Sequence, residues 1–335
     1  MKKNYYRFSH INVSVTQLFF VALLSCLSAF SSFAADKKHV RLALQWSPQA
    51  QFAGYYMAQE KGIYDSHGLD VEILPGSANM NGCAKVRQGQ SEFCTAFLSD
   101  GLQLHSEGVP LVNVGQFIQR SALMLVTRKD SGIKTIQDLD GARIGTWGDN
   151  FRLQPKALFK REGIDVTLIR QSPSFELFMR GGLDAVLAMW YNEYHRLLSY
   201  GLKRDEMTLF FFSDLGMNLP EDGIYSLEST FNESPETAQA LVEATAEGWL
   251  YAFAHPEETI DTMLGIMNKS NIRANRANQT WMLARMKDLL LPKGQKQLDT
   301  VLKESDFIRT QEVLQFTGSK QSELTYQDFY KGRLQ

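Results

Sequence analysis

Residues 40–73, VRLALQWSPQAQFAGYYMAQEKGIYDSHGLDVEI, constrain the fold of this chain more than any other stretch. Val40, Leu42 and Leu44 alternate with Arg41, Ala43 and Gln45, the period of a strand, and Ser47-Pro48 ends it. A helical pattern follows over 51–61, Gly62 stops it, and Leu69-Asp70-Val71-Glu72-Ile73 opens a second strand. Strand, loop, helix and strand in one short stretch make a βαβ unit, and βαβ units build parallel sheets. Ligands of open parallel sheets sit beyond the carboxyl ends of the strands. Gln45 and Trp46, at the end of the first strand, are therefore candidate contacts, with Tyr55 on the opening turn of the helix.

The alternation continues. Strands are expected at 71–74, 92–96, 111–115 and 123–127, with helices near 80–88 and 100–106. A second series then starts: strand 139–145, helix 152–161, strand 166–170, helix 174–180, strand 184–189, helix 191–200 and strand 207–212. After a return strand at 223–227 the pattern is helical, over 235–255, 256–267, 274–291 and 294–304, with a short tail at 325–330. Two α/β lobes are the expected architecture, each a mainly parallel sheet flanked by helices.

The order L-x-W-x-P…F-A-G-Y-Y-x-A-x-E-K-G-x-Y…G-L-D-V-x-I resembles the opening of the thiamine pyrimidine synthase-like family. That family includes periplasmic solute-binding proteins for thiamine-pyrimidine precursors, the formylaminopyrimidine-binding proteins among them. It is related to the SsuA-type binding proteins for sulfonates and to those for taurine and nitrate. The resemblance implies a type II periplasmic binding protein fold, two lobes hinged by two crossings of the chain. On that topology the crossings are expected at 128–132 and 216–223. Residues 1–34 are then an export signal, 35–128 with 223–335 the first lobe, and 129–222 the second.

The N-terminus predicts export. Lys2, Lys3 and Arg7 precede an apolar run over 13–30, and Ser32-Phe33-Ala34 sets small residues before a cleavage at Ala35. The apolar run is almost long enough to span a bilayer as an uncleaved anchor, but the small residues that follow it favour cleavage. Leu23-Leu24-Ser25-Cys26 is a poor lipidation site, because Leu27, Ala29 and Phe30 prolong the apolar run. Loss of the signal takes 35 basic residues to 32 against 37 acidic ones, a formal charge of −5. A mildly acidic chain without a basic run is not expected to bind nucleic acid. Cys83 and Cys94 remain; an oxidising compartment permits a disulfide, and two separate small core residues are an equal alternative. The six histidines lack ligand spacing and there is no C-x-x-C, so no metal site is expected.

Loops that follow strands should converge on the cleft. The candidate contacts are Gln45, Trp46, Tyr55, Asn79, Ser99 and Asp100, then Thr146, Trp147, Trp190, Asn192, Glu193 and Asp222, with Tyr225 nearby. Trp249 and Trp281, on helical patterns, are expected in the core. The set is rich in aromatics, amides and carboxylates and poor in cations, Arg120 being the nearest. An anion needs donors, often Arg. A flat amino-substituted heterocycle needs faces to stack on and acceptors for its amine, and this set supplies both.

The synthase branch of the resembling family uses a lysine for pyridoxal phosphate, a histidine four residues later and a cysteine-rich segment. Those positions fall here on Ala96, Asp100 and 217–221, and none carries the needed side chain. Without an amine no Schiff base forms. Nor does the chain contain G-x-S-x-G, a Walker loop, H-E-x-x-H, or G-x-G-x-x-G after the first strand. The expectation is a monomeric periplasmic binding protein without cofactor or metal. It captures a thiamine-pyrimidine precursor, hydroxymethylpyrimidine or formylaminopyrimidine, for an ABC permease of the inner membrane. The alternatives are a sulfonate, taurine-type or other small organic solute, presentation of the ligand to a membrane receptor, and, disfavoured, the synthase activity.

Overall fold

The computed structural model describes Met1 and residues 37–77, 82–171, 174–319 and 323–333. Beyond Met1, the expected export signal lies outside the described residues, as does Asn79.

The described residues form two five-stranded sheets. The first runs β2 (Leu69–Leu74), β1 (Lys38–Ala43), β3 (Phe93–Phe97), β10 (Asp222–Leu227), β4 (Leu111–Gln116). The second runs β7 (Thr167–Arg170), β6 (Arg143–Thr146), β8 (Ala185–Met189), β5 (Leu123–Arg128), β9 (Met207–Phe211). Strand β1 pairs in parallel with β2 and β3, and β6 with β7 and β8. Only β10 in the first sheet and β5 in the second run against both neighbours. Each sheet is thus mainly parallel, as expected, and its one reversed strand is the segment that has just arrived from the other sheet.

Strand β5 corrects the expected first crossing. It lies inside the second sheet, between β8 and β9, so the chain passes over between Gln116 and Leu123 and not at 128–132. The run LMLVT is buried on both faces, which is the mark of an interior strand. The polar stretch after it is a surface turn, a single 3₁₀ turn at Lys129–Ser131 closed by Gly132 at φ 82°. The return passes between Phe211 and Asp222, overlapping the expected 216–223.

The two crossings run side by side. Phe117 and Ile118 donate their backbone N–H groups to Asp222 O at 3.0 and 3.1 Å, and Glu221 N returns to Ile118 O at 3.0 Å. Ser121 N donates to Asn218 Oδ1 at 2.9 Å. Gln116 Nε2 reaches Glu221 O at 2.9 Å. A double strap of this kind joins lobes while leaving the bend to a few residues.

The helices of the described residues are α1 (Ala53–Glu60), α2 (Ile63–Ser66), α3 (Gly82–Arg87), α4 (Leu98–Ser106), α5 (Leu153–Glu162), α6 (Glu176–Met179) and α7 (Glu193–Ser199). After β10 come α8 (Glu228–Glu233), α9 (Pro235–Ala254), α10 (Pro256–Lys269), α11 (Arg276–Leu290), α12 (Glu304–Phe316) and α13 (Tyr326–Phe329). Helix α1 packs against α9 through Gly54: a Cβ there would lie 2.2 Å from Cγ of the buried Trp249. The glycine in F-A-G-Y-Y therefore lets an indole lie on the backbone, and Trp249 is core, as expected.

A helix expected over 294–304 is absent. Pro292 and Gly294, the latter at φ 97°, open an irregular segment instead, whose Thr300 O accepts from Gln116 N at 2.9 Å. The helix begins at Glu304, where Phe307, Thr310, Val313 and Leu314 form its buried face. Cys83 and Cys94 are joined by a disulfide with Cα atoms 5.1 Å apart, tying α3 to β3.

Candidate functional site

A cleft of about 1020 Å³ opens where strand order reverses. In the first sheet β1 lies between β2 and β3, so the connections leaving β1 and β3 diverge; in the second, β6 lies between β7 and β8 with the same result. Such switch points leave a crevice at the carboxyl ends of parallel strands. Gln45, Trp46 and Ser47 enter it after β1, Phe97 and Asp100 at β3 and the start of α4. Trp147 and Gly148 follow β6, and Met189, Tyr191, Asn192 and Glu193 close β8.

Of the residues singled out from sequence, Gln45, Trp46, Asp100, Trp147, Asn192 and Glu193 face this cleft. The others do not. Tyr55 is 1 % exposed, its ring set against Phe52, Phe117 and Trp249, because it points from α1 into the helix–sheet interface. Ser99, next to Asp100 on the first turn of α4, is buried and does not line the cleft. The Thr146 hydroxyl is buried, donating to Trp147 O at 3.1 Å and accepting from Arg152 Nε at 3.0 Å. Trp190 turns behind β8, its ring edge-on to Phe211 and under the Arg285 guanidinium at 5.0 Å. Tyr225, on an interior strand, is fully buried. Asp222 lies beneath the cleft floor, where it holds residues that line it.

That floor is a chain of amides. Gln45 Nε2 donates to Asp222 Oδ1, and Gln51 Nε2 to Asp222 Oδ2 at 3.1 Å. Gln49 Nε2 donates to Gln51 Oε1 at 2.7 Å. Burial pushes the Asp222 carboxyl up to about 7, against the opposing effect of the two glutamine donors. On the facing wall Glu193 accepts from Met189 N at 2.9 Å and from Asn192 Nδ2 at 2.8 Å, and burial holds its carboxyl above the ordinary range. Asp100 is half-buried at the wall; desolvation raises it to about 7, and nothing among the described residues donates to it.

Aromatic faces enclose these polar groups. Trp46 and Phe97 meet Phe151 edge-on at 6.3 and 5.7 Å, so Phe151 from the second lobe touches the first across the cleft. Tyr191 is 2 % exposed, and its phenol is raised well above its usual range by burial and by the nearby Glu221, Asp222 and Glu193.

Helix α11 supplies a wall that the strand-end rule does not reach. Gln279 Oε1 accepts from Ala50 N at 2.7 Å, beside the β1 loop. Asn278 Nδ2 donates to Asn192 Oδ1 at 3.2 Å, and Asn278 Oδ1 bonds His195 Nδ1 at 3.0 Å. Trp281 Nε1 reaches Trp190 O at 3.0 Å. Trp281 is half-buried, bridging α11 to the β8 loop and not simply core. The signal was present in sequence: Asn275, Asn278 and Gln279 form a polar stripe at i, i+3 and i+4. Arg196 and Arg273 also line the cleft, cations that the sequence reading passed over.

Where the synthase branch of the resembling family carries its lysine, Ala96 sits fully buried in β3, and no amine is placed there. Among the described residues no group of His, Cys, Asp or Glu is placed to hold a metal ion.

Two lobes strapped by a double crossing around a polar, aromatic-walled cleft define the periplasmic binding protein class of fold. Within it, the chain belongs to the NMT1/THI5-like family, whose model matches residues 49–259. It is 24% identical over 243 residues to the riboflavin-binding protein RibY of Chloroflexus aurantiacus, covering 70% of this chain and 68% of that one. It is 23% identical over 258 residues to the formylaminopyrimidine-binding protein of Halalkalibacterium halodurans, 74% of this chain and 77% of that one. The alkanesulfonate-binding protein SsuA of Xanthomonas axonopodis pv. citri, solved with MOPS bound, superposes with a TM-score of 0.65 at 16% identity, over 89% of this chain and 100% of that one. That last likeness is one of fold.

Proposed function

We propose that this protein is an exported solute-binding protein that captures a small amino-substituted heterocycle, of the thiamine-pyrimidine precursor class, and delivers it to an ABC importer. The observation that carries the ligand class is the Asp100 carboxyl, half-buried, facing the cleft and without a donor among the described residues. A desolvated acid in that position is stabilised by a ligand that brings an amine or a basic ring nitrogen. Trp46, Trp147 and Phe151 offer the flat faces such a ring stacks on. Family membership and the relatives named for riboflavin and formylaminopyrimidine support a nitrogen heterocycle. The Cys83–Cys94 disulfide supports an oxidising compartment, in line with the expected export signal.

The residues we assign to the ligand are Gln45, Trp46, Asp100, Trp147, Asn192 and Glu193, with Tyr191 and Asn278 added. The ligand is held by contacts alone, and closure of the lobes about the crossings excludes water. Calorimetric titration with 4-amino-5-hydroxymethyl-2-methylpyrimidine, formylaminopyrimidine, riboflavin and taurine tests this directly. Saturable binding of a pyrimidine without turnover is the expected result; tightest binding of taurine overturns the ligand class, and product formation overturns the binding role.

A further inference from the structure

We infer that Asp222 is the positioning residue that sets the hydrogen-bond polarity of the cleft floor, by holding the Gln45 amide so that its carbonyl faces the ligand. This rests on the reading of the cleft as a site for an amino-substituted heterocycle. A carboxylate only accepts, so each glutamine beside Asp222 must turn its NH₂ group toward it. The Gln51 carbonyl is already occupied by Gln49 Nε2 at 2.7 Å. The Gln45 carbonyl has no partner among the described residues and belongs to a half-buried residue on the cleft surface. It therefore presents a bare acceptor, one that selects a ring carrying a donor and penalises a ring carrying an acceptor at the same place.

Replacing Asp222 by Asn keeps the shape and changes the logic. Asparagine offers one acceptor and one donor, so one of the two glutamines must turn over. For Gln51 that costs the bond from Gln49; for Gln45 it costs no protein hydrogen bond. Gln45 is the one that turns, and its NH₂ then faces the ligand.

The test compares 4-amino-5-hydroxymethyl-2-methylpyrimidine with its 4-oxo analogue, in which the exocyclic donor becomes an acceptor and a ring nitrogen, an acceptor in the amine, becomes an N–H donor. Affinities are measured by titration calorimetry at pH 8.5, where Asp222, raised by burial to about 7, is ionised. The wild-type protein is expected to favour the amino compound by about 10- to 100-fold, the cost of leaving one polar group unpaired. Asp222→Asn is expected to lose that preference or invert it; an unchanged ratio in a folded variant overturns the inference while leaving the proposed function intact. Should Asp222→Asn fail to fold, Gln45→Leu must abolish the preference, and a preserved ratio overturns the inference equally. Side-chain amide NMR supplies a readout without ligand. The Gln45 and Gln51 NH₂ resonances must shift as Asp222 titrates, and resonances indifferent to it overturn the positioning role. A wild type that binds neither pyrimidine while those resonances do follow Asp222 overturns the proposed ligand and upholds the positioning.

Discussion

The backbone N–H of Ala122, at the end of the first crossing, donates to the carboxylate of Glu221, at the end of the second, at 2.6 Å. The Ser121 hydroxyl reaches the same oxygen at 3.1 Å, while Glu221 Oε2 is buried without a partner among the described residues. An acid half satisfied in this way sits next to a second buried acid, Asp222, and burial followed by that neighbour pushes Glu221 up to about 8. The hinge is thus held by a carboxyl that prefers its proton.

Stability should therefore fall as pH rises from about 5 to 8. Glu221, at about 8, and Asp100 and Asp222, at about 7, hold protons in the folded protein that the unfolded chain releases near its ordinary carboxylate values of 4.5 and 3.8. Where the folded state binds more protons, stability declines with pH, so this contribution is complete below about 4 and lost through 7 to 8. His105, lowered by burial, acts in the opposite sense but is a single group. Thermal melts across this range should show the decline. Glu221→Gln should flatten it and raise Tm at pH 8 by about 2–4 °C; an unaltered slope would count against the buried-acid account.

Trp46 and Trp190 should separate cleanly. Trp46→Ala removes a face of the cleft and is expected to weaken pyrimidine binding by about tenfold or more. Trp190→Ala removes the Phe211 and Arg285 contacts behind β8 and should lower stability by about 2 kcal/mol with binding within about threefold. Calorimetry and melting on both variants decide it, and the reverse pattern would return Trp190 to the site.

Asn278→Ala cuts the bridge from α11 to Asn192 and His195. Loss of these bonds should cost about 1 kcal/mol of ligand affinity, about a fivefold rise in Kd, since Asn192 also steadies Glu193. Unchanged affinity would reduce α11 to a bystander.

The Cys83–Cys94 bridge closes a short loop, with a sequence separation of 11. Its removal in a Cys83→Ala, Cys94→Ala double variant should lower unfolding free energy by about 2–3 kcal/mol, read from denaturant midpoints with and without reductant.

Tyr55 carries a buried hydroxyl with no partner among the described residues. Tyr55→Phe should leave the fold as stable or raise its stability by about 1 kcal/mol, since an unmet polar group is removed. A marked loss in Tm would reveal a partner for that hydroxyl.

Much of this was legible in the chain. Apolar strand patterns placed β1, β3, β6 and β8 within a few positions, and the strand-end rule pointed to Trp46, Asp100, Trp147 and Glu193, which line the cleft. It failed where residues next to each other in sequence face opposite ways. Trp190 and Tyr191 are neighbours, yet only Tyr191 reaches the cleft, because side chains alternate across the end of β8. The first crossing was hidden for a different reason: its polar residues are only three, Gln119, Arg120 and Ser121, set between the buried apolar Phe117, Ile118 and Ala122, too short a break to mark a linker. Helix α11 escaped because its polar stripe, Asn275, Asn278 and Gln279, reads locally as a solvated helix face, and only long-range packing sets that stripe against the cleft.

The reversed strand of the first sheet carries a consequence for how the chain is assembled during synthesis. Among the described residues strand β10 is the only strand neighbour of β4 and joins it to β3, yet it is made more than a hundred residues after β4. Until residue 227 emerges, the first sheet lacks the strand that joins β4 to β3, whereas the second sheet has all its described strands once residue 211 is out. The lobe begun earliest is completed last, and a nascent chain of this topology stays open for most of its translation.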